Sequence, residues 1–258
     1  MADKKLRKIE GEFNQRSDVE VVNDKRLYEI AQARYAHGGF GSQWNYHSLV
    51  FMKRQVLSRV LYLDQLYRKI IDVPGVICEF GVHWGATMTT LCNLRGIYEP
   101  FNHSRRIHGF DTFSGFVDVD AADGGFSNAG DYSTSAGYEV ELDHLLGLHE
   151  SFSPVSQIQK YELVKGDVTQ TLPGWLEANP HAIVSMAVFD MDIYKPTKTA
   201  LELILPRLIK GSILVFDELN CPHFPGETTA VQEVLGLNNI RLKRFPHQPY
   251  CAWAEFGG

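Results

Sequence analysis

Acidic side chains follow two apolar segments that have the composition of buried strands. Asp190 comes directly after residues 183–189, and Asp217 and Glu218 come directly after residues 212–216. If the segments are neighbouring parallel strands, these acids lie at one edge of a sheet, on strands about 4.8 Å apart. Like charges this close are costly without a cation, and oxygen donors favour Mg²⁺, Ca²⁺ or Mn²⁺ over zinc. The sequence therefore predicts a divalent metal site formed by Asp190, Asp217 and Glu218.

Three residues near this predicted edge could accept a proton during catalysis, namely Asp190, Asp192 and His223. Carboxylates and imidazoles are common general bases. Two of these residues also have structural interpretations. Asp192 could cap a helix that begins near Lys195-Pro196, because proline is favoured in a first helical turn. His223 could be an exposed loop residue, and Glu218 could bind a substrate hydroxyl instead of a metal.

A segment with two glycines follows residues 76–80 and suits the binding of a small cofactor. Glycine at 81 permits a sharp turn after a strand, and glycine at 85 allows the next helix to direct its amide N-terminus at the ligand. The spacing G-x-x-x-G departs from the dinucleotide fingerprint G-x-G-x-x-G, so the segment alone is a weak signal. The full segment is Glu79-Phe80-Gly81-Val82-His83-Trp84-Gly85-Ala86-Thr87.

Further acidic residues at strand ends favour an adenosyl group as the ligand. Asp111, after residues 107–110, could accept hydrogen bonds from the two ribose hydroxyls, and Asp167, after residues 162–164, could meet the adenine amine. Either aspartate could instead be a helix cap or a turn residue. The predicted cofactor contacts are Glu79, Phe80, Gly81, Gly85, Ala86, Thr87, Asp111, Thr112, Phe113, Gly166, Asp167, Val168 and Asp190.

The elements that must position these residues begin after residue 72, where short apolar segments alternate with helical ones. Such alternation requires crossover connections and a parallel sheet. Residues 246–250 alone separate the last two strands, so that pair is antiparallel. The pattern predicts an α/β doubly wound, Rossmann-like sheet with an antiparallel C-terminal hairpin, an arrangement that resembles the class I methyltransferase fold. The predicted strands are residues 76–80, 107–110, 162–164, 183–189, 212–216, 241–245 and 251–256, and the helices are residues 86–98, 139–150, 170–178 and 197–208.

Residues 1–72 lack this alternation and have helix-like apolar spacing over residues 24–35 and 46–71. They predict an N-terminal helical cap without strands, followed by a catalytic domain over residues 73–258. Aromatic residues in the Gly-, Ser- and Asp-rich stretch 113–138 suggest a mobile lid. Arg105-Arg106 is interpreted as a solvated charged edge.

The motifs E-F-G-V-H-W-G-A-T, G-F-D-T-F-S-G-F and D-M-D-I-Y-K-P-T resemble those of the macrocin O-methyltransferase family, over roughly residues 73–233. The chain is also similar to rhamnosyl O-methyltransferases of enediyne pathways. The resemblance implies S-adenosylmethionine as the methyl donor, a divalent metal, usually Mg²⁺, and a sugar hydroxyl as the acceptor. The sugar could be a free TDP-deoxysugar or one already attached to an aglycone. A departure occurs at Phe116, where the family more often has leucine–proline, so the following loop is hard to align.

The net charge and the composition of the chain limit the classes of partner and the cellular location that we expect. The formal net charge of -6 argues against nucleic acid as a partner, and no apolar stretch is long enough to span a membrane. The stretch 1–10 lacks the apolar core of a signal peptide. The cysteines are scattered, which predicts a reducing cytoplasm, and the cap and the aromatic lid suggest a homo-oligomer. The cysteines are Cys78, Cys92, Cys221 and Cys251.

Three other functions remain open at this point. A catechol or phenol O-methyltransferase of secondary metabolism would use the same acidic layout. A nicotinamide-dependent oxidoreductase shares the strand–helix plan, although the glycine spacing and the terminal hairpin fit it poorly. A non-catalytic binding module could have kept an adenosyl pocket.

Overall fold

The computed structural model describes residues 7–9, 12–14 and 16–258. Most of the stretch 1–10, which was predicted not to be a signal peptide, lies outside the described residues. The chain divides into two compact units, Met1–Arg59 and Val60–Gly258.

The first unit contains two short strands and two helices. The strands β1 (Arg7–Ile9) and β2 (Glu12–Asn14) pair antiparallel, so the prediction of a strand-free N-terminus was wrong. Helix α1 spans Asp18–Ala36 and begins at a capping box in which Ser17 and Glu20 exchange hydrogen bonds. The helix predicted over residues 46–71 is interrupted: α2 covers Trp44–His47, and α3 covers Arg54–Tyr67.

The second unit is built on a seven-stranded sheet. Its strands are β3 (Val76–Phe80), β4 (Ile107–Asp111), β5 (Tyr161–Lys165), β6 (Val184–Phe189), β7 (Leu208–Phe216), β8 (Lys243–Phe245) and β9 (Gln248–Glu255). The order is β5-β4-β3-β6-β7-β9-β8. The first five strands are parallel, and β9 pairs antiparallel with both β7 and β8. The predicted α/β class I methyltransferase fold with its C-terminal hairpin is confirmed.

Five helices of this unit follow the strands. They are α4 (Ala86–Tyr98), α5 (Tyr138–Ser151), α6 (Val168–Ala178), α7 (Tyr194–Ile204) and α8 (Pro225–Val234). Helix α8 is an addition to the predicted elements. Pro222, Pro225 and Gly226 gave that region the composition of a loop, but proline is well tolerated in a first helical turn.

The core has two layers, one on each face of the sheet. Strand β6 is buried along its whole length, as expected when both faces of a parallel strand are covered. Alternate residues point to opposite layers: Met186 and Val188 join one apolar cluster, and Ala187 and Phe189 join the other. The sheet is therefore a rigid support for the loops at its edges.

The second unit also shows one clear departure from the sequence interpretation. Arg105 is buried, whereas residues 105–106 were expected to form a solvated edge. Its guanidinium pairs with Glu99 (2.9 Å) and donates to the carbonyl oxygens of Gly75 and Ile70 (2.7 Å each) and to Ser185 Oγ (2.7 Å). A buried arginine is stable only with such a complete set of partners.

Candidate active site

The candidate site lies at the carboxyl edge of the sheet, above a row of stacked phenylalanines. Phe80, Phe110, Phe189 and Phe216 lie at the carboxyl ends of β3, β4, β6 and β7 and are paired in register across the strands. Neighbouring rings stack with centroids 5.1–5.4 Å apart. Because these four residues are in register at the strand ends, the residues that follow them emerge side by side.

The turn after β3 depends on its first glycine. Gly81 has φ +94°, and a Cβ atom there would lie 1.8 Å from the carbonyl oxygen of Asp190. The backbone N–H of Asp190 in turn donates to the carbonyl of Phe80 (2.8 Å). The predicted cofactor turn and the predicted acidic loop are therefore in direct backbone contact.

The N-terminus of α4 is open to a ligand. Gly85 precedes the helix in the left-handed conformation, and no side chain caps the helix. The first N–H groups of a helix have no partners within it and carry partial positive charge. Such an end suits a carboxylate, like that of the methionine portion of the predicted donor.

Asp111 connects this turn to the loop after β4. The backbone N–H of His83 donates to Asp111 Oδ2 (2.8 Å), and that of Phe113 donates to Oδ1 (2.6 Å). The carboxylate thus serves as a turn residue, the structural alternative. Each oxygen can accept a further hydrogen bond, so a ribose contact is compatible with this role.

Asp167 also has the structural role that was the alternative to cofactor binding, that of a helix cap. It is the N-cap of α6, and its side chain accepts a hydrogen bond from the backbone N–H of Thr169 (2.9 Å). Its contact with adenine stays a prediction. Gly166, with φ +135°, donates its N–H to the carbonyl of Asp111 (2.8 Å), which holds the loops after β4 and β5 together.

Asp192 does not cap α7. The N-cap position is Ile193, whose side chain offers no hydrogen bond. Instead, Asp123, from the loop after β4, accepts the N–H of Tyr194, the first residue of the helix (2.6 Å). Burial raises the pKa of Asp192 well above its usual value, and the charges of Glu218 and Asp190 raise it further.

The helix that follows β7 contains a second buried acid that the sequence analysis did not single out. Glu227, in the first turn of α8, is fully buried, and its Oε1 accepts the backbone N–H of Glu218 (3.0 Å). Burial raises the pKa of its carboxyl well above the usual value, and the charge of Asp217 adds to the shift. The segment P-G-E was the signal available in the sequence, because a glutamate two positions after a proline is typical of the first turn of a helix.

A metal site needs suitable donor atoms and a suitable geometry, and the acidic residues meet only the first of these two conditions. Their donor atoms are hard oxygens, and their mutual repulsion would be relieved by a cation. However, no group of three or more such side chains has the geometry to hold a metal ion, within the part of the chain that the structure describes. Asp217 Oδ1 accepts a hydrogen bond from the thiol of Cys251 (2.8 Å). The predicted metal site thus stays a prediction.

Aromatic side chains connect the loop after β4 to the rest of the edge. The ring of Tyr132 lies 5.8 Å from that of His83 and 6.2 Å from that of Phe224. The half-buried ring of His223 lies 5.7 Å from that of Phe126. The stretch predicted as a lid is thus packed against both the cofactor turn and the loop after β7.

Backbone strain is concentrated in the same loops. Six described residues other than glycine have a positive φ, and five of them are His83, Phe113, Tyr132, Asp192 and Asn220. Such conformations are costly and persist where the surroundings enforce them, commonly at functional sites. A cavity of about 280 Å³ beside Arg106, His108 and Trp175 lies near the opposite, amino ends of the strands. It contains none of the predicted site residues.

Comparisons with known proteins agree with this architecture. A family described as "Methyltransferase domain" matches residues 78–219. The structure of CalS11, a calicheamicin methyltransferase, is 38% identical in sequence, with a TM-score of 0.86 and full coverage of both chains. An apo structure of CalS11, described as a TDP-rhamnose 3'-O-methyltransferase, is 37% identical over 94% of this chain and 96% of that one, with a TM-score of 0.82.

Two further relatives are more distant. The 8-demethyl-8-(2,3-dimethoxy-alpha-L-rhamnosyl)-tetracenomycin-C 4'-O-methyltransferase of Streptomyces olivaceus is 28% identical over 188 residues, which is 67% of this chain and 62% of that protein. The O-methyltransferase NovP shares the fold, with a TM-score of 0.56 at 17% identity over 77% of this chain and 79% of that one. Within the described residues, no helix is both long and apolar enough to cross a membrane.

Proposed function

The chain belongs to the methyltransferase domain family, and we propose that it transfers the methyl group of S-adenosylmethionine to a hydroxyl of a deoxysugar in antibiotic biosynthesis. The acceptor is a nucleotide sugar of the TDP-rhamnose type. The observation that carries this proposal is the full-length similarity to CalS11, at 38% identity. The tetracenomycin relative acts on a rhamnosyl group of a larger molecule, so a sugar attached to an aglycone is the alternative acceptor.

The donor is proposed to occupy the edge formed by β3, β4 and β5. Its carboxylate lies at the open N-terminus of α4, its ribose at Asp111, and its adenine near Asp167. The two glycines let the cofactor turn pack closely against its surroundings, since side chains at 81 and 85 would collide with Asp190 and with Leu142. Held in this way, the sulfonium methyl group is directed at an acceptor beside the acidic loops.

Proton removal from the sugar hydroxyl is assigned to the loop after β6. Asp192 is suited to this task because its raised pKa makes it a stronger base than an ordinary aspartate. Asp190 and His223 are the other candidates. Asp190, Asp217 and Glu218 would hold a divalent cation, Mg²⁺ above all, which on binding would stabilise the developing alkoxide.

Two further features belong to the proposed function. The enzyme is expected to act as a homo-oligomer, given the many exposed apolar side chains of its N-terminal unit. A cytoplasmic location is proposed from the cysteines, all four of which are described and none of which forms a disulfide.

Calorimetry with S-adenosylhomocysteine tests the donor site. We expect Asp111→Asn to bind at least about tenfold more weakly than wild type, because hydrogen bonds to a charged group contribute about 1.5–3 kcal/mol. The exposed Asp143→Asn is the matched control and should bind normally. No binding by wild type, or binding of a nicotinamide cofactor instead, would refute the donor assignment.

An acceptor panel tests the other half of the proposal. TDP-rhamnose, a rhamnosylated aglycone and a catechol are each incubated with S-adenosylmethionine, with and without Mg²⁺. Methylation of the nucleotide sugar is expected. Exclusive methylation of the catechol would replace the sugar hypothesis, and donor binding without turnover would favour a binding module.

A further inference from the structure

A buried aspartate in the loop after β4 lies between the first turns of two helices. Asp123 is fully buried, and its Oδ1 accepts the backbone N–H of Tyr194, the first residue of α7 (2.6 Å). Gly226, the second residue of α8, lies against the same oxygen, because a Cβ atom at 226 would be only 2.0 Å from it. One carboxylate oxygen is therefore packed against the N-terminal turns of both α7 and α8.

The other carboxylate oxygen fixes Asp123 within its own loop. Asp123 Oδ2 accepts the backbone N–H of Asp120 (2.7 Å), and the side chain of Asp120 accepts the N–H of Ala122 (2.9 Å). Burial raises the pKa of the Asp123 carboxyl, and the N–H donors of Asp120 and Tyr194 oppose this shift. Both oxygens accept N–H groups, as suits the ionised form, and the partial positive charge of a helix N-terminus favours that form as well.

The two helices that meet at Asp123 carry the two buried acids of the candidate site. Asp192 lies two residues before the start of α7, and Glu227 is in the first turn of α8. Glu227 in turn accepts the backbone N–H of Glu218 with its Oε1 (3.0 Å). Contacts through Asp123 thus join the loops after β4, β6 and β7, which form the acceptor side of the proposed site.

The position of Asp192 depends on this contact more than that of an ordinary loop residue would. Its φ is +62°, a costly conformation that persists only where the surroundings enforce it. The N-cap of α7, Ile193, offers no side-chain hydrogen bond, so Asp123 caps the helix from a distant loop. Without this cap the first turn of α7 would fray, because its N–H groups have no partners within the helix, and Asp192 would lose its support.

We propose that Asp123 is a positioning residue for methyl transfer. By binding the first turns of α7 and α8 together, its carboxylate holds Asp192 at the site and keeps Glu227 bonded to the loop after β7. Because Asp123 is fully buried, it acts through these residues and not on the substrate. The inference rests on the proposed function, in which these acids serve the reaction. A displacement of about 1 Å can lower a rate about 10²-fold.

Steady-state kinetics with TDP-rhamnose as the acceptor test the positioning role. Asp123→Ala is expected to lower kcat about 10²-fold, with unchanged binding of S-adenosylhomocysteine, because the proposed donor site lies on β3, β4 and β5. Asp123→Asn keeps an acceptor for the N–H of Tyr194 and should recover most of the rate. Asp118→Ala, in the same loop, removes an exposed ion pair with Lys195 and is the matched control. It should leave kcat nearly unchanged.

Gly226→Ala reaches the same contact from the other helix without removing an acid. Its Cβ atom would displace the Asp123 carboxylate, so kcat should again fall, by about tenfold or more. In the Asp123→Ala background the same substitution should have a smaller effect than in wild type, because both changes break one contact. Circular dichroism and retained binding of S-adenosylhomocysteine show that the variants are folded.

Hydrogen exchange tests the contact without turnover. In Asp123→Ala we expect faster exchange at the starts of α7 and α8, and unchanged exchange in α6, which is capped by its own Asp167. Unchanged exchange at both helices would overturn the shared cap, even if methyl transfer fell. Faster exchange with an undiminished kcat would overturn the positioning role. A wild type that transfers no methyl group would instead refute the proposed function, and the positioning role with it, while exchange would still decide the contact.

Discussion

Two ends of the same sheet handle buried charge in opposite ways. Near the amino ends of the strands, Arg105 is matched by Glu99 and by three further hydrogen-bond acceptors. At the carboxyl edge, Asp192 and Glu227 are equally buried but lie among other acids, and burial first, then these neighbouring charges, raises their pKa values. The buried charge of Arg105 is thus fully paired, whereas the buried charges of the carboxyl edge are all negative.

We interpret the paired charges near the amino ends as maintaining the fold, and we propose that the acids of the carboxyl edge serve the reaction. A buried ion pair with all its hydrogen bonds makes the structure specific at little net cost. Buried acids of one sign are destabilising, and their perturbed pKa values are typical of functional sites. The carboxyl edge is therefore where binding or chemistry is expected, in agreement with the strained backbone of the same loops.

Removal of Arg105 should have the largest effect on stability. In Arg105→Leu, Glu99 would remain buried without its partner, and breaking a buried pair costs about 3–5 kcal/mol. Chemical denaturation measures this loss. The exposed Arg241→Leu is the control and should change the free energy of unfolding by about 0.5 kcal/mol or less. Equal effects of the two substitutions would contradict the distinction between the residues.

The buried acids of the carboxyl edge should make the folded protein more stable at mildly acidic pH than at alkaline pH. Asp192 and Glu227 have raised pKa values in the folded state, so the folded protein binds protons more readily than the unfolded chain. Their contribution to the free energy of unfolding therefore falls as the pH rises above the ordinary carboxyl pKa, about 4, towards the raised pKa values of the folded state. With chelator present, we expect the free energy of unfolding to rise by about 1 kcal/mol or more between pH 8 and pH 5.

Glu227→Gln should reduce this slope and stabilise the protein at pH 8, because the amide is neutral at every pH. The exposed Glu202→Gln, on α7, is the control for a general charge effect. If Glu227→Gln destabilised the protein at pH 8, the carboxyl would not be a source of repulsion.

The smallest expected effect concerns Cys251, which donates a hydrogen bond to Asp217 Oδ1. Cys251→Val should slow methyl transfer about fivefold and lower stability by about 1 kcal/mol, the usual contribution of one hydrogen bond. Cys251→Ser keeps a donor and should recover most of the rate. If the serine and valine variants were equally slow, a positioning role for the thiol would be refuted.

The sequence predicted the central sheet well because its signals are local. Every strand from β3 to β9 overlaps a predicted segment, since continuous apolar residues are distinctive of strands buried on both faces. Helix α8 and the pair β1–β2 were missed. Proline and glycine gave the segment of α8 the composition of a loop. The strands β1 and β2 have three residues each, which is too short to show the two-residue alternation of a strand.

The common location of several candidate site residues was predicted because these residues follow strand ends. Asp190, Asp217 and Asp111 could be placed at one edge from topology alone. Arg105, Asp123 and Glu227 could not be interpreted, because their roles come from partners distant in sequence, such as Ser185 for Arg105 and Tyr194 for Asp123. Aspartate and glutamate in turns have too many local roles for the sequence to distinguish them.

The most direct test of the central claim is the rate of methyl transfer to TDP-rhamnose by wild type and Asp192→Asn, measured at saturating S-adenosylmethionine with Mg²⁺. We expect wild type to form a monomethylated sugar, and Asp192→Asn to be about 10²–10⁴ times slower, the usual contribution of a positioned proton acceptor. The variant should have an undiminished melting temperature, since removing one charge relieves repulsion. Equal rates for the two proteins, or no transfer to the sugar by wild type, would contradict the assignment of the acidic edge to catalysis.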